Sequence, residues 1–391
     1  PSLFAGLDRG EVVAVVRATL RTLAHRARAG SPPDFFSYYT VLLASLGKLD
    51  PPKLVGSQRK VLRALSRNPY LSQGGLKEAT GLSPASVSRA IGYLTSVGMI
   101  SGPQQVNYLA MGFSSLVVSV PRGEVGLRRA LREFPLTWSV FEPLNPAEPE
   151  QFVLIFPRSG IHLLAGALRG RARVYQIVRQ SFSVNFVSPS CREAMEALVT
   201  GLEASDPLSA GDQALGSGGG APRVRLDAQD FRILEIVSKE GRVSASRARE
   251  AGIAGADGRI RKLRSAGILA EFYMIGGMGL GEPLVLEVDT PEPEGDYHRL
   301  SRALSRVGSA LVAQVRGDFD GVWAIVYVDP PSAVQVARAI RLVLGERLRM
   351  LSPAAVAPES SFYLPPEVWD EERQEFRVGE LIARLTGGWE A

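Results

Sequence analysis

The chain has 391 residues, 45 basic and 40 acidic side chains, 45% apolar residues, one cysteine (Cys191) and three histidines (His25, His162, His298). That much apolar material builds several cores and excludes a disordered chain. A single cysteine excludes an internal disulfide, and scattered histidines give no metal-ligand cluster, so no metal or cofactor is expected. No run approaches the ~20 apolar residues of a membrane span. The opening PSLFAGLDRGEVV lacks the pattern of a signal peptide. The expected compartment is a reducing cytoplasm. Arg outnumbers Lys by 39 to 6, and the charge is uneven. Residues 1–110 carry 13 basic and 5 acidic side chains, residues 223–269 carry 11 and 6, and residues 270–391 carry 11 and 19. Localised positive charge fits a polyanion-binding surface; the plain alternative is solvated helix faces.

In chain order, residues 1–54 read as a helical extension with helices over 11–28 and 35–49, suited to dimerisation or docking. Residues 55–112 read as a winged helix-turn-helix. Val61, Leu62 and Leu65 mark its first helix, and Ser72 to Thr80 its second, closed by Gly81. Ser83-Pro84 starts the third, with Val87, Ile91 and Leu94 on one face. Residues 113–202 alternate strand, helix, strand, strand, helix, strand, the ferredoxin-like order. Residues 203–222 are rich in Gly, Ser and Ala and read as a flexible linker.

The same series then recurs. Residues 223–281 read as a second winged helix-turn-helix, with Asp227 as N-cap, a second helix from Ser244 to Glu250, and Ile260 and Leu263 inward on a third. The recognition segment is shortened and contains Gly255 and Gly258, each costing roughly 1 kcal/mol of helix propensity. Gly267-Ile268-Leu269 repeats the exit Gly98-Met99-Ile100. Residues 282–365 read as a second ferredoxin-like domain, and residues 366–391 as a C-terminal tail and helix, with acidic 367–375 as added material. The fold class is α+β: two winged helix-turn-helix domains alternating with two ferredoxin-like βαββαβ domains, plus the N-terminal helical extension.

The second half resembles the Lrp/AsnC family of transcription regulators. The residues that carry this are Leu226, Asp227, Asp230, Ile233, Leu234, Val237, Gly241, Arg242 and Ser244, then Arg259, Ile260, Leu263, Gly267, Ile268 and Leu269. Gly317-Asp318-Phe319-Asp320-Gly321 is similar to the family's G-D-x-D turn. The likeness is good over about 226–357 and weaker over 57–187, where Asn145-Pro146-Ala147-Glu148-Pro149 replaces that turn. The resemblance implies a regulator of double-stranded DNA, with a small-molecule effector such as an amino acid at Gly317, Asp318 and Asp320. The plain alternative is a hairpin turn.

A recognition helix reads base edges in the major groove. The DNA-contact candidates of the first copy are Ser83, Ser86, Ser88, Arg89 and Tyr93, with Arg59, Ser72 and Gln73 at helix starts suited to phosphate. Arg89 is the one strong bidentate donor for guanine. Gln104, Gln105 and Asn107 lie on the expected wing. In the second copy Arg247, Arg249, Arg259, Arg261, Lys262 and Arg264 suggest phosphate neutralisation. No phosphate loop, nucleophile elbow or metal cluster suggests an enzyme. Two other readings stand beside the regulator: an architectural chromatin protein of weak specificity, and a sirohaem-decarboxylase-like enzyme, a class built from paired Lrp-like subunits. One chain would mimic a family dimer, and two chains would form a homodimer.

Overall fold

A computed structural model describes residues 54–145, 147–204, 212–214, 224–276, 280–329, 332–357 and 362–387, together with Arg17. Apart from Arg17, which is helical and exposed, the expected helices over 11–28 and 35–49 lie outside the described residues.

Three helices come first. Helix α1 (Gly56–Arg67) buries Val61, Leu62 and Leu65. Helix α2 (Gln73–Thr80) begins where the Ser72 hydroxyl accepts from the Gly75 N–H at 3.2 Å and ends at Gly81. Helix α3 (Pro84–Ser96) begins where the Ser83 hydroxyl accepts from the Ser86 N–H at 3.2 Å, with Pro84 in its first turn, and buries Val87, Ala90 and Leu94. Side-chain caps satisfy donors that the helix itself leaves unpaired, so the sequence dictates these starts. Short strands β1 (Ile100–Ser101) and β2 (Gln104–Val106) follow.

The next segment runs β3 (Phe113–Val120), α4 (Val125–Glu133), β4 (Thr137–Pro143), β5 (Glu150–Pro157), α5 (Ile161–Leu168) and β6 (Arg173–Ser183). Helix α6 (Cys191–Glu203) and strand β7 (Asp212–Ala214) come after it. The glycine-rich stretch is therefore not linker throughout: β7 pairs with Arg179–Ser181 of β6. Three further helices are α7 (Ala228–Glu240), α8 (Ala245–Glu250) and α9 (Ala256–Ser265), followed by β8 (Leu269–Glu271) and β9 (Met274–Ile275). Gly255 is the N-cap of α9 and not part of it, so only Gly258 weakens that helix. The second strand-helix segment runs β10 (Glu282–Asp289), α10 (Pro293–Val307), β11 (Ser309–Gly317), β12 (Gly321–Val328), α11 (Ala333–Leu344) and β13 (Leu348–Ala357). The acidic tail folds into β14 (Trp369–Asp370), β15 (Glu375–Phe376) and α12 (Val378–Gly387).

The fold is mixed α/β, and its centre is a closed eight-stranded barrel. The strand order is β11-β12-β10-β13-β4-β5-β3-β6, and β6 pairs back onto β11. Each strand-helix segment supplies four neighbouring strands, a half-barrel. The seams are β13 on β4 (Ala357 opposite Val140) and β6 on β11 (Gln180 opposite Ala313). Along β12, Trp323, Ile325 and Tyr327 point into the barrel, while Val322, Ala324, Val326 and Val328 pack outward under helices. This is the period-two alternation of a sheet covered on both faces.

The outer layers are exchanged. Helix α6, which follows the first half-barrel, lies against α10 and α11 of the second. A Cβ on Gly201 of α6 would sit 2.5 Å from the Ala303 Cα. Helix α12, which follows the second half-barrel, packs on α4 and α5 of the first, where a Cβ on Gly160 would sit 2.3 Å from Val378. Close approach of the Ala303 backbone requires glycine at 201, while at 160 an added Cβ would run into the methyl groups of Val378.

Candidate nucleic-acid interface and the barrel cavity

The first three-helix domain keeps its positive charge unneutralised. Between residues 54 and 104 it holds Arg59, Lys60, Arg63, Arg67, Lys77 and Arg89 against Glu78 alone. All six cations are exposed, and none forms an ion pair among the described residues. Arg59 has a ring partner, lying 5.4 Å from the Phe186 centroid. On α3, Pro84, Ala85, Ser88 and Arg89 are exposed, and Ser86 is half-buried with its hydroxyl 3.0 Å from that of Ser83. Ser72 and Ser83 are occupied as caps, Gln73 is exposed, and Tyr93 is half-buried against the core. Ser72 and Gln73 thus stand at the start of α2 and Ser83, Ser86 and Ser88 at the cap and in the first half of α3, with Arg89 exposed midway along α3 and Arg59 on α1.

The second three-helix segment turns part of its charge inward, while Arg242, Arg249 and Arg261 stay exposed. Arg259 donates to both oxygens of Asp227 at 2.7 Å and reaches Asp230 at 3.0 Å. Lys262 is paired with Asp230, a fully buried carboxylate, and donates to the Arg225 carbonyl at 3.1 Å. Arg247 holds Glu240 at 2.6 Å, and Arg264 lies 3.8 Å from Glu271. Arg249 and Arg261 donate to backbone carbonyls of their own helices. Of the six expected phosphate contacts, four are turned onto carboxylates of the same domain. Partial burial pushes the Asp227 carboxyl up, but the Arg259 hydrogen bond, the Asp230 N–H and the nearby cations outweigh it and hold the group below its ordinary value.

The wings are exchanged too. Strand β1 pairs with β9, and β2 pairs with β8, so neither domain closes a wing from its own strands. Ile100 lies opposite Ile275, and Val106 opposite Leu269. Gln104 is not offered to DNA: its Oε1 accepts from the Val243 N–H at 2.7 Å, and its N–H donates to the Gly241 carbonyl at 3.0 Å. Gln105 is buried and donates to Ser101, while the Asn107 side chain accepts from the Ala110 N–H.

The Gly317–Gly321 turn is a seam fastening, and one oxygen of each of its two exposed carboxylates bonds to backbone. Asp318 accepts from the Val174 N–H at 2.8 Å, and its own N–H donates back to the Val174 carbonyl at 3.1 Å. Asp320 accepts from the Gly317 N–H at 3.0 Å. Gly317 has φ 139°, and a Cβ there would meet the Val174 carbonyl at 2.6 Å, so glycine is required by the fold. Phe319 is buried against Tyr175, 5.6 Å between ring centroids. The plain hairpin reading accounts for all of these contacts.

Sequence reasoning passed over the barrel interior. Glu287 is fully buried there; Arg173 donates to it at 3.1 Å, Gln151 at 3.1 Å, and the Tyr175 hydroxyl also donates to it. Burial first, and then the Glu287 charge, push the Tyr175 hydroxyl well up. A legible signal existed: Glu287 interrupts the apolar run Leu284–Val288 at an inward-facing position, and buried charges need partners. Between the barrel and the first three-helix domain lies a cavity of about 760 Å3. Its walls include Trp138, Phe141, Trp323 and Tyr327 of the barrel, and Phe272 and Tyr273 beside the exchanged strands. Burial pushes the Tyr327 hydroxyl well up, so it stays protonated.

Comparison with known proteins gives one family match. Residues 54–104 match the MarR family. Two solved structures are similar at low identity, both of the siroheme decarboxylase NirDL, one in complex with an iron-uroporphyrin III analogue. They share 13% and 14% identity over 85% and 84% of this chain and 100% of theirs, with a TM-score of 0.42 in each case. No curated protein sequence matches the chain. Among the described residues no helix is long and apolar enough to cross a membrane. A MarR-type winged helix-turn-helix domain therefore occupies residues 54–104, and it points to a DNA-binding regulator.

Proposed function

We propose that the chain is a transcription regulator of Lrp/AsnC type that binds double-stranded DNA chiefly through its first winged helix. In this reading the chain is two winged-helix plus ferredoxin-like units in tandem, and the second winged helix has become a structural partner. The observation that carries it is the contrast in charge. The six cations of residues 54–104 face solvent without acidic partners, whereas Arg247, Arg259, Lys262 and Arg264 are paired. Unpaired cations are what phosphate neutralisation uses. Arg89, exposed midway along α3, supplies base readout, and Ser72, Gln73 and Arg59 supply phosphate contacts. The exchanged seams, wings and covering helices support a pseudo-dimer within one chain. Catalysis has no part in this reading; the protein acts in the cytoplasm, and residues 1–54 join two chains as a homodimer.

Selection of bound duplexes from a random pool, followed by a salt titration on selected and random DNA, tests this. The regulator reading expects a specificity ratio of about 10^3 or more. A ratio near one indicates the architectural chromatin protein.

A further inference from the structure

A winged helix-turn-helix offers DNA two elements, a recognition helix and a strand ribbon, the wing. In this chain the wings are joined to each other. Beyond the pairs β1·β9 and β2·β8, each wing turn docks on the helix turns of the other domain. Gln104 holds Gly241 and Val243 of the second domain through its backbone and side chain. In return, the Tyr273 N–H donates to the Pro69 carbonyl of the first domain at 2.9 Å, and the Phe272 ring lies 5.7 Å from that of Tyr70. The two turns also meet: a Cβ on Gly102 would sit 2.8 Å from the Phe272 carbonyl oxygen. Charge separates the wings from DNA as well. Residues 98–112 carry no charged side chain, and residues 266–281 carry Glu271 alone. Elements that enter the minor groove use Arg, Lys, Asn or Gln, and here Gln104, Gln105 and Asn107 are bonded within the protein. Helix α3 is the reverse case. Ala85, Ser88, Gly92 and Ser96 recur three or four residues apart on its exposed side, so small side chains let the helix sink into a groove, and Arg89 stands among them as the long donor.

We propose that the chain reads DNA from the major groove alone, through α3, and that the joined wings are a strap between the two three-helix domains that stays off the DNA. This rests on the DNA-binding reading above and deepens it by naming the groove. Base preference then falls only where α3 lies, and the site has no flanking A·T preference of the kind that a minor-groove element imposes.

The test uses the full chain and the selected duplex, with base analogues placed one position at a time. A 7-deazapurine removes N7, an acceptor of the major groove; inosine for guanine removes the N2 amino group, and 3-deazaadenine removes N3, both in the minor groove. Affinity should fall about fivefold or more with a 7-deazapurine at one position at least, and should stay within about twofold with inosine or 3-deazaadenine at every position. Two surface variants give a second readout. Ser88→Glu puts a carboxylate on the outer side of α3 and should weaken selected and random DNA alike, by about tenfold or more. Glu271→Lys, on the strap, should leave the slope of log affinity against log salt unchanged. Melting temperatures equal to that of the unsubstituted chain verify that both variants fold. Loss with a minor-groove analogue, indifference to every 7-deazapurine, or a slope raised by about 0.9 or more in Glu271→Lys overturns the groove assignment and leaves the regulator reading standing. A chain that selects no duplex, or that binds undiminished as Ser88→Glu, overturns the DNA-binding reading through α3 and this inference with it.

Discussion

Arg259 of α9 grips Asp227, the N-cap of α7, at 2.7 Å through both carboxylate oxygens. The side chain that the helix-turn-helix pattern offers to DNA thus clamps the third helix of its own domain to the first. Asp230, one turn on, is shared by Arg259 and Lys262 and also accepts from the Asp227 N–H at 3.1 Å. The carboxylates that cap this helix are therefore the ones that neutralise its neighbour.

Arg89→Ala should weaken binding to the selected duplex by about 1–3 kcal/mol and relax preference at one base position. Fluorescence anisotropy on single-base variants of the site measures this. An equal loss on random DNA would make Arg89 a phosphate contact.

The two domains should respond oppositely to loss of charge. Arg59→Ala should lower the slope of log affinity against log salt by about 0.9, the share of one phosphate. Lys262→Ala should leave that slope unchanged and instead lower stability by about 1–3 kcal/mol, because it strips a buried carboxylate of one partner. Salt titrations and thermal melts on the same two variants separate these effects, and a lower slope for Lys262→Ala would return α9 to the DNA interface.

Acid should loosen the second domain through Asp227. Its folded carboxyl titrates below the ordinary value of about 3.9. The ionised group therefore adds stability above the unfolded value, and that stability drains away as pH falls through the folded value. Melting temperatures taken from pH 6 down to pH 3 should fall less steeply in Asp227→Asn than in the unsubstituted chain. Parallel curves would show that the Arg259 pair is energetically silent.

How much of this was written locally follows from the interactions themselves. Ser72, Ser83 and Asp227 mark helix starts because a cap bonds residues two or three positions on. Strand order within each half-barrel follows from alternation and short connections. Wing exchange is another matter. Two residues of β1 carry no instruction about whether their partner lies in their own domain or at Met274–Ile275. The pairing of Arg259 and Lys262 with Asp227 and Asp230 spans the whole helix-turn-helix, beyond any periodic pattern, so basic residues on a recognition segment resembled a phosphate surface. The cavity was equally hidden, because its walls come from the barrel and both wings.

Trp369 joins the C-terminal hairpin to the second three-helix domain, donating from Nε1 to the Leu226 carbonyl at 3.3 Å and packing its ring at a tilt, 5.3 Å from that of Phe231. Glu371 accepts from the Ala228 N–H at 3.0 Å, helping to cap α7 from outside the domain. Trp369→Ala should cost about 3–5 kcal/mol. Hydrogen exchange should quicken first at the start of α7. Uniform loss of protection across the barrel would show that the hairpin is not a local clasp.

Exchange of the covering helices bears on how the chain is made. Leu127, Leu131, Leu164 and Leu168 of the first half-barrel share a core with Leu381 and Leu385 of α12. During synthesis the first half therefore leaves the ribosome with an apolar face bare, two open barrel edges and one strand of each wing unmatched. Nothing in that half can finish its own surface, and the second half arrives as its obligatory template. Such an intermediate exposes the strand edges and apolar area that invite aggregation. Truncations that end before residues 362–387 should therefore lose soluble yield even though they spare every expected DNA contact.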